Sequence, residues 1–395
     1  MREIRESINK TYSAKEYQVA VVGGGIAGIS AALAAARNGA ESVILIEKEF
    51  MVGGLATLGL VTYYLPLCDG NGRQVSFGIS EELLRLSIKY GAESPNWYPK
   101  AWLENGSEEE KKQQRFKTQF NPYVFAILCE ELLLKAGVTI LYGTSVCSVG
   151  RTGNKVDTLF LENSSGRTAI AVESVVDATG DAVVCRLAEE DTAIFTQGNV
   201  LAGWYQYLDQ GKNCVKILSL EDYPEETPEQ FRPDIRYYVG SDAEMLSEMV
   251  IDSHKMLFED WLKKKEENPD STLTAIPAIP QVRRTWRLNG RSVRDDDPSA
   301  HFEDSIGVIA NFGKRGPAYE IPFSCLCGNR VVNLIAAGRC ISVINKMWHT
   351  ARVIPACSVT GEAAGTAAAL GNDFSSLSVP QLQKVLKKNG VLISL

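Results

Sequence analysis

The chain has 395 residues, of which 45% are hydrophobic and 23% are charged, and its formal net charge at pH 7 is −7. This length predicts two or three domains with a large buried core, and the composition excludes a disordered protein. The negative charge argues against a general binder of nucleic acid or of anionic membranes. No uncharged apolar run reaches the roughly 20 residues that cross a bilayer.

The N-terminus and the cysteines predict a reduced, cytoplasmic protein. Residues 1–18 mix charges and lack the apolar segment of a secretory signal. The nine cysteines are an odd number, are scattered, and form no CxxC pair. Neither a disulfide framework nor a metal site is therefore expected.

The first predicted elements form a βαβ unit. Residues 17–22 (YQVAVV) are expected to be a buried strand, and a turn with three glycines leads from them into an alanine-rich helix. A second strand, 42–46, ends at Glu47. Strand, glycine turn, helix, strand and acid in this order are the fingerprint of a dinucleotide site.

Each glycine of the turn has a separate expected role. Gly23 allows the tight turn, Gly25 lets the backbone approach a pyrophosphate, and Gly28 allows the helix to pack closely on the strand. The alternative is a glycine turn used for packing alone.

The residues around the turn complete the predicted nucleotide site. The free N–H groups of Ile26 and Ala27, in the first helical turn, are expected to face the phosphates. Glu47 lies 19 residues after Gly28, where a carboxylate accepts hydrogen bonds from a ribose diol.

A second glycine doublet follows Glu47 closely and favours FAD over NAD. It lets the chain fold back against an extended ligand made of two nucleotides, which NAD dehydrogenases do not generally need. Cofactor contacts are predicted for Lys48, Gly53, Gly54, Leu55 and Ala56.

Further elements follow along the chain. Asn121 and Pro122 are predicted to open a helix that runs to residue 136, and a strand at 138–141 comes next. A long amphipathic helix is expected at 241–267. Three alternating runs predict a β-meander at 144–149, 155–161 and 167–172.

Three later motifs carry a family resemblance. They are SVVDATGD at 174–181, NLIAAGRCIS at 333–342 and RVIPACSVTGEAAGTAAAL at 352–370. Together with the glycine turn, they resemble the FAD-dependent oxidoreductase family, within the superfamily of glutathione-reductase-type and fumarate-reductase-type flavoproteins. The resemblance spans nearly the whole chain.

The resemblance implies an α/β fold: a Rossmann-like FAD-binding domain with a three-stranded β-meander, plus an inserted α+β second domain. The discontinuous FAD-binding domain would comprise 16–57, 121–189 and 330–371. The remaining parts would be an insertion or cap at 58–120, a substrate domain at 190–329 and a C-terminal extension at 372–395.

The resemblance also implies FAD as the cofactor and adds contacts at Val146, Ala178, Thr179, Gly180, Asp181, Gly338, Arg339, Gly361, Glu362, Ala363 and Ala364. A helix starting at 360–364 would direct its N-terminus at the flavin pyrimidine ring. Glu362 stands where the family usually has Gln, and a plain complement to the helix dipole is its alternative role.

The expected reaction is hydride transfer between flavin N5 and a small substrate, with a carboxylate-bearing substrate suggested by clustered arginines. Strand alternation would place Arg283 and Arg287 on one face as a carboxylate clamp. Salt bridges to residues 295–297 at a domain interface are the alternative. His349 and Arg352 lie in a segment expected to pass the flavin, where His349 would act as acid or base. A structural histidine remains the alternative.

Two features that the sequence lacks limit which molecules could exchange electrons with the flavin. No CxxC pair lies near the flavin loop, which disfavours dithiol–disulfide reductases, and no second GxGxxG follows a strand. An external electron partner, NAD(P)H or a redox protein, is therefore expected. Two alternatives stay open: an electron-transfer flavoprotein without its own substrate, and a non-redox nucleotide-dependent module. Whether the protein forms an oligomer is also left open by the sequence.

Overall fold

The fold is described for residues 11–195, 197–219 and 234–395 of a computed structural model. Its α-helices in these ranges are α1 (Ile26–Arg37), α2 (Ile79–Ser87), α3 (Lys100–Leu103), α4 (Glu108–Gln113), α5 (Pro122–Lys135), α6 (Val183–Leu187), α7 (Ala243–Glu267), α8 (Asn345–Ala351), α9 (Ile354–Leu370) and α10 (Val379–Lys388). Its strands are β1 (Lys15–Val22), β2 (Val43–Ile46), β3 (Tyr63–Tyr64), β4 (Thr118–Gln119), β5 (Thr139–Leu141), β6 (Ser145–Thr152), β7 (Lys155–Asn163), β8 (Gly166–Asp177), β9 (Thr192–Ile194), β10 (Ala202–Asp209), β11 (Lys212–Ser219), β12 (Thr272–Ala275), β13 (Trp286–Leu288), β14 (Ser305–Ala310), β15 (Ala318–Pro322) and β16 (Leu334–Ala336).

A seven-stranded sheet organises the molecule, with the order β5-β2-β1-β8-β7-β6 and with β16 also paired to β8. Strands β5, β2, β1, β8 and β16 are parallel, whereas β8, β7 and β6 form an antiparallel meander. The mixed α/β fold predicted from the sequence is confirmed.

Strand β8 combines the third strand of the predicted meander with the strand predicted to begin at residue 174. Residues 166–171 of β8 pair antiparallel with β7, while 175–177 pair in parallel with β16. The opposite edge of β8 pairs with β1. The third meander strand and the strand that returns to the nucleotide site are therefore continuous, because no glycine or proline interrupts 167–177.

Helix α1 lies against both the sheet and α9, and small residues allow this close packing. A Cβ atom built on Gly361 would lie 2.2 Å from the carbonyl oxygen of Ala27, and one built on Gly365 would lie 2.0 Å from that of Ala31. The hydroxyl groups of Ser30 and Ser358 hydrogen-bond across the same contact at 2.9 Å. The two glycines are thus required by the approach of the helices.

The start of α9 differs from the prediction. The helix begins at Ile354, with Pro355 in its first turn, rather than at residue 360. Proline is favoured there because the first N–H groups of a helix have no intrahelical partner. Gly361, Glu362, Ala363 and Ala364 therefore lie inside the helix and do not form its N-terminus.

Glu362 reaches away from the start of α9 and caps α2. Its side chain is buried, and its Oε2 accepts a hydrogen bond from the N–H of Ile79 at 2.8 Å. Gly78, at φ +62°, leaves room for this carboxyl, since a Cβ there would lie 2.5 Å from Oε2. Burial raises the pKa of Glu362 to about 7.

Two of the predicted helices, α5 and α7, are confirmed, and α5 has the N-cap residue that the sequence predicts. The Asn121 side chain accepts hydrogen bonds from the N–H groups of Tyr123 and Val124, both at 3.1 Å, and so caps α5. Helix α7 starts two residues later than predicted and buries Met249 and Leu257.

Smaller sheets lie outside the main sheet. They are β11-β10-β12, against which α7 packs, and the pairs β13-β9, β14-β15 and β3-β4. The division of the chain into domains stays a prediction, and residues 220–233 of the predicted substrate domain lie outside the described residues.

Helix α9 is rich in alanine and other apolar residues. Within the described ranges no single helix has the length and composition to cross a membrane, and only α8 and α9 together, bent by 89°, meet that test.

We expect Gly361→Ala to destabilise the protein by about 1–3 kcal/mol, because the added methyl group meets the α1 backbone in a packed core. Gly313→Ala is the matched control: Gly313 is exposed, and its added Cβ would lie 3.6 Å from the nearest atom. Urea unfolding of both variants measures the difference. Equal stability of the two variants would contradict the packing role.

We expect Glu362→Gln to flatten the pH dependence of stability. Between the ordinary pKa of 4.5 and about 7, folded Glu362 keeps a proton that the unfolded chain has lost. Wild-type stability therefore falls as the pH rises through this window, by at most about 3 kcal/mol, whereas a Gln oxygen accepts the Ile79 N–H at every pH. Urea unfolding at several pH values tests this, and parallel pH profiles would contradict it.

Candidate functional site

The glycine turn after β1 contains glycines that the packing of the protein itself requires and one that it does not. A Cβ on Gly23, which has φ +99°, would lie 2.6 Å from the Ala178 carbonyl oxygen, and one on Gly28 would lie 1.8 Å from that of Gly23. At Gly25 no atom lies within 4 Å of the added Cβ, and φ is −66°. The protein itself does not require glycine at position 25, and the open space belongs to a cavity that Gly25 lines.

The N-terminus of α1 opens toward the same cavity. Its cap residue, Gly25, has no capping side chain, and no acidic residue lies in the first turn. The first N–H to bond back is that of Ile29, to the Gly25 carbonyl oxygen at 2.9 Å, so the preceding N–H groups have no intrahelical partner. Such groups, with the positive end of the helix dipole, bind phosphate.

The second glycine doublet packs directly on the first turn. The N–H of Gly53 donates to the Gly24 carbonyl oxygen at 2.7 Å, and Gly25 and Gly53 form a parallel β-bridge. A Cβ on Gly54 would lie 3.2 Å from the Gly25 Cα. The doublet therefore makes a second backbone wall beside the phosphate-binding turn.

Glu47, at the end of β2, holds the turn and lines the cavity. Its Oε2 accepts the N–H of Gly24 at 2.5 Å, and its Oε1 accepts the N–H of Glu49 at 2.9 Å. Burial raises its pKa, while these two hydrogen bonds favour the carboxylate. Since each carboxylate oxygen has two lone pairs, acceptor capacity remains for a ribose hydroxyl.

Arg339 ties the end of β8 to the loop before β13. Its Nη2 donates to Asp181 at 2.6 Å, and its Nε donates to the Gly180 carbonyl oxygen at 2.9 Å. It also hydrogen-bonds the Val282 carbonyl oxygen. The hydroxyl of Thr285 donates to Asp181 at 2.7 Å. These bonds fix one wall of the cavity.

The cavity has a volume of about 500 Å³ and lies at the carboxyl ends of β2, β1, β8 and β16. These four neighbouring strands span about 14 Å, and ligands of open α/β sheets bind at such strand ends. Glu47 marks the β2 side of the cavity, and Ala337 marks the β16 side.

The β16 side brings together a cation, a helix start and apolar groups. Arg352 lines it, with its guanidinium 4.8 Å from the centre of the Trp348 ring. Ile354 and Cys357, from the first turn of α9, lie beside it. Burial raises the pKa of the Cys357 thiol to about 11, so this group stays neutral and donates to the Arg352 carbonyl oxygen at 3.2 Å.

Most of the residues predicted to contact the cofactor line this cavity. They are Gly23, Gly25, Ile26, Ala27, Glu47, Lys48, Gly53, Gly54, Leu55, Ala56, Val146, Ala178, Thr179, Gly180, Asp181 and Arg339. The others lie outside its lining: Gly28, Gly338, Gly361, Glu362, Ala363 and Ala364. Gly338, at φ +78°, packs under the floor, where a Cβ would lie 2.7 Å from the Ala27 Cβ.

Of the four predicted catalytic residues, Arg352 alone lines the cavity. The His349 ring lies 5.0 Å from that of Phe312. The expected arginine clamp is not formed by one strand, because β13 covers only Trp286–Leu288 and Arg283 precedes it.

The arginines of the expected clamp contact other groups. Arg283 donates to Ser219 at 2.8 Å, and the Arg287 guanidinium lies 4.2 Å from the centre of the Phe195 ring. Another member of the cluster, buried Arg294, pairs with the adjacent residue Asp295 at 2.5 Å.

Sequence reasoning missed one wall of the cavity. It consists of Leu246 and of the loop residues Ala278, Ile279, Pro280, Val282 and Thr285. These residues lie more than 200 positions after the glycine turn, and their apolar, proline-containing sequence carries no motif. Within the described ranges, no cluster of three or more His, Cys, Asp or Glu side chains could hold a metal ion.

The site fits a dinucleotide with an attached ring system. The turn leaves space beside Gly25, the α1 N-terminus offers phosphate donors, and Glu47 retains acceptor capacity for a ribose. The apolar β16 side, with Arg352 and the α9 N-terminus, suits a flat ring that becomes negative on reduction.

The comparisons with known proteins agree with this geometry. A geranylgeranyl bacteriochlorophyll reductase-like protein from Thermoplasma acidophilum matches at a TM-score of 0.51 and 13% identity, over 95% of this chain and 84% of its own. A p-nitrophenol 4-monooxygenase from Pseudomonas putida matches at 0.50 and 13%, over 95% and 81%. No curated protein matches in sequence.

At such low identity the two structures show the fold alone. A model of the family described as FAD dependent oxidoreductase, however, matches residues 18–202 and 202–386, which is nearly the whole chain. The protein therefore belongs to the FAD-dependent oxidoreductase family, and FAD is its cofactor.

Proposed function

We propose that this enzyme transfers a hydride between FAD and a small, carboxylate-bearing substrate on the β16 side of the cavity. When bound, FAD supplies a ring nitrogen, N5, that accepts or donates the hydride. The observation that carries the proposal is one continuous cavity that joins the nucleotide cradle at Gly25 and Glu47 to Arg352 and the start of α9.

The β2 side holds the nucleotide in this proposal. The backbone N–H groups at the start of α1 bind the pyrophosphate, and the absence of a Cβ at Gly25 lets it approach. Glu47 accepts hydrogen bonds from the ribose and so orients it. The same side chain accepts the N–H of Gly24 and holds the turn in place. This binding positions the reactive ring without taking part in the chemistry.

The β16 side stabilises negative charge. The start of α9 carries the positive end of a helix dipole, and no acidic residue lies in its first turn. Arg352 adds a full positive charge that favours either the reduced ring or a substrate carboxylate. In this proposal the helix N-terminus that faces the flavin ring is formed by Ile354 and its neighbours, and not by Gly361–Ala364 as predicted.

Apolar residues exclude water from the reacting groups. Leu55, Ala56, Ile279, Pro280 and Val282 line the cavity. In a dry site the electrostatic interactions of Arg352 are stronger than in water, and a hydride is protected from loss to solvent.

The second half-reaction in this proposal uses an external electron partner, either NAD(P)H or a redox protein. The sequence contains no second glycine fingerprint after a strand that would form a separate pyridine-nucleotide domain. His349 stays a prediction as an acid or base, on α8 and outside the cavity lining.

We expect Gly25→Ala to weaken FAD binding by about 10- to 100-fold, because its methyl group occupies the space that the pyrophosphate needs. The stability of the FAD-free protein should change little, since the methyl group meets no protein atom. Gly28→Ala is the control and should destabilise the fold, since its Cβ would meet the Gly23 carbonyl. Fluorescence titration with FAD and thermal unfolding measure the two effects. Unchanged FAD affinity in Gly25→Ala would contradict this assignment.

We expect Arg352→Gln to lower kcat/KM for a carboxylate substrate by about 10- to 100-fold, through loss of a charge-assisted interaction. Arg352→Lys should retain part of the rate, and Arg283→Gln, outside the cavity lining, should retain nearly all of it. Anaerobic bleaching of the flavin by a panel of small carboxylic acids and their amides measures these rates. Equal rates with acids and amides would contradict the carboxylate assignment. A loss of rate in Arg283→Gln but not in Arg352→Gln would show that Arg283 binds the carboxylate instead.

A further inference from the structure

Helix α7 has two apolar faces, and the described residues of the chain cover only one of them. Met249 and Leu257 are buried on the face that packs against β10. A second stripe, Ile251, Phe258 and Leu262, is exposed by 54%, 52% and 39% of the residue surface. This stripe takes no part in the cavity described above.

The second stripe continues a regular pattern along the helix. Residues spaced alternately by three and four positions lie on one face of a helix and form the seam of a coiled coil. The six residues with this spacing are Glu248, Ile251, Lys255, Phe258, Leu262 and Lys265. They extend over about 26 Å of helix, with an acid at one end, a base at the other and large apolar groups between.

We propose that α7 pairs with α7 of a second copy of this chain, antiparallel, around a two-fold axis between residues 256 and 257. In this register Ile251 packs on Leu262 of the second copy, and Phe258 packs on Lys255 of the second copy. Glu248 faces Lys265 of the second copy. Symmetry repeats each contact, so that the six positions form six layers.

Charge selects the antiparallel arrangement. A parallel, in-register pair would place Glu248 against Glu248 and Lys255 against Lys255, which is unfavourable. The antiparallel pair replaces these contacts by two acid–base pairs and by two contacts of an ammonium group with an aromatic ring. The seam is therefore self-complementary in one direction only.

The local partners of these charged groups are compatible with pairing. Lys255 lies 3.3 Å from Asp252, and Lys265 donates to the Ser271 carbonyl oxygen at 2.8 Å. Glu248 forms an ion pair with Arg236 at the edge of the seam. An ammonium group has three donors and a carboxylate has about four acceptor sites, so each retains capacity for the second copy.

Light scattering coupled to size-exclusion chromatography, over a range of protein concentrations, tests the proposal on the FAD-loaded protein. We expect a wild-type dimer. Phe258→Lys should raise the dimer dissociation constant by more than about 100-fold, because each new ammonium group would face Lys255 of the second copy in the seam. FAD content and helix content of this variant should stay at the wild-type values, which separates loss of pairing from loss of folding.

A charge exchange tests the register. Glu248→Lys and Lys265→Glu should each weaken the dimer, and the double variant should restore it, since the antiparallel register then pairs the exchanged charges. Lys263→Glu with Glu267→Lys is the matched control, because both residues are exposed on α7 and neither lies in the seam or at a position that flanks it. This control should remain a dimer.

Several results would overturn the proposal. They are a wild-type monomer at every concentration, a dimer that survives Phe258→Lys, and failure of the double charge exchange to restore pairing. Slow amide exchange at residues 251–262 in a monomer would show instead that another segment of the same chain covers the stripe.

Discussion

The close contact of α1 with the sheet on one side and α9 on the other is the constraint on which the site depends. A side chain at Gly28 would meet the glycine turn, and one at Gly361 would meet the α1 backbone. Because the side chain at both positions is a single hydrogen atom, the two helices can pack tightly. As a consequence, the first turns of both helices line the same cavity at the carboxyl edge of the sheet.

This arrangement gives the cavity two electrostatically different sides. On the β2 side Glu47 supplies an acceptor next to the phosphate-binding N–H groups, a combination that suits a ribose followed by a pyrophosphate. On the β16 side Arg339 pairs with Asp181, and Arg352 and the N-terminus of α9 lie beside apolar groups and a neutral thiol. In the proposed function, nucleotide binding and stabilisation of negative charge therefore take place on different sides of one cavity.

Signals that lie close together in the chain could be predicted from the sequence. The glycine turn, Glu47 and the Asn121 cap each act within about 30 residues, and the structure places them as expected. Contacts between distant segments could not be predicted. Glu362 resembles a residue of a helix start, yet it lies inside α9, and its partner Ile79 lies 283 positions away. The apolar loop around Pro280 reaches the cavity by tertiary packing alone, which leaves no periodic or motif signal.

A crystal structure of the FAD complex tests the central claim most directly. The account predicts that the pyrophosphate lies against Gly25 and the N–H groups that begin α1, with a ribose on Glu47. It also predicts that the isoalloxazine ring lies on the β16 side, next to Arg352 and Ile354. A pyrophosphate bound away from Gly25, or a ring on the β2 side, would contradict the account.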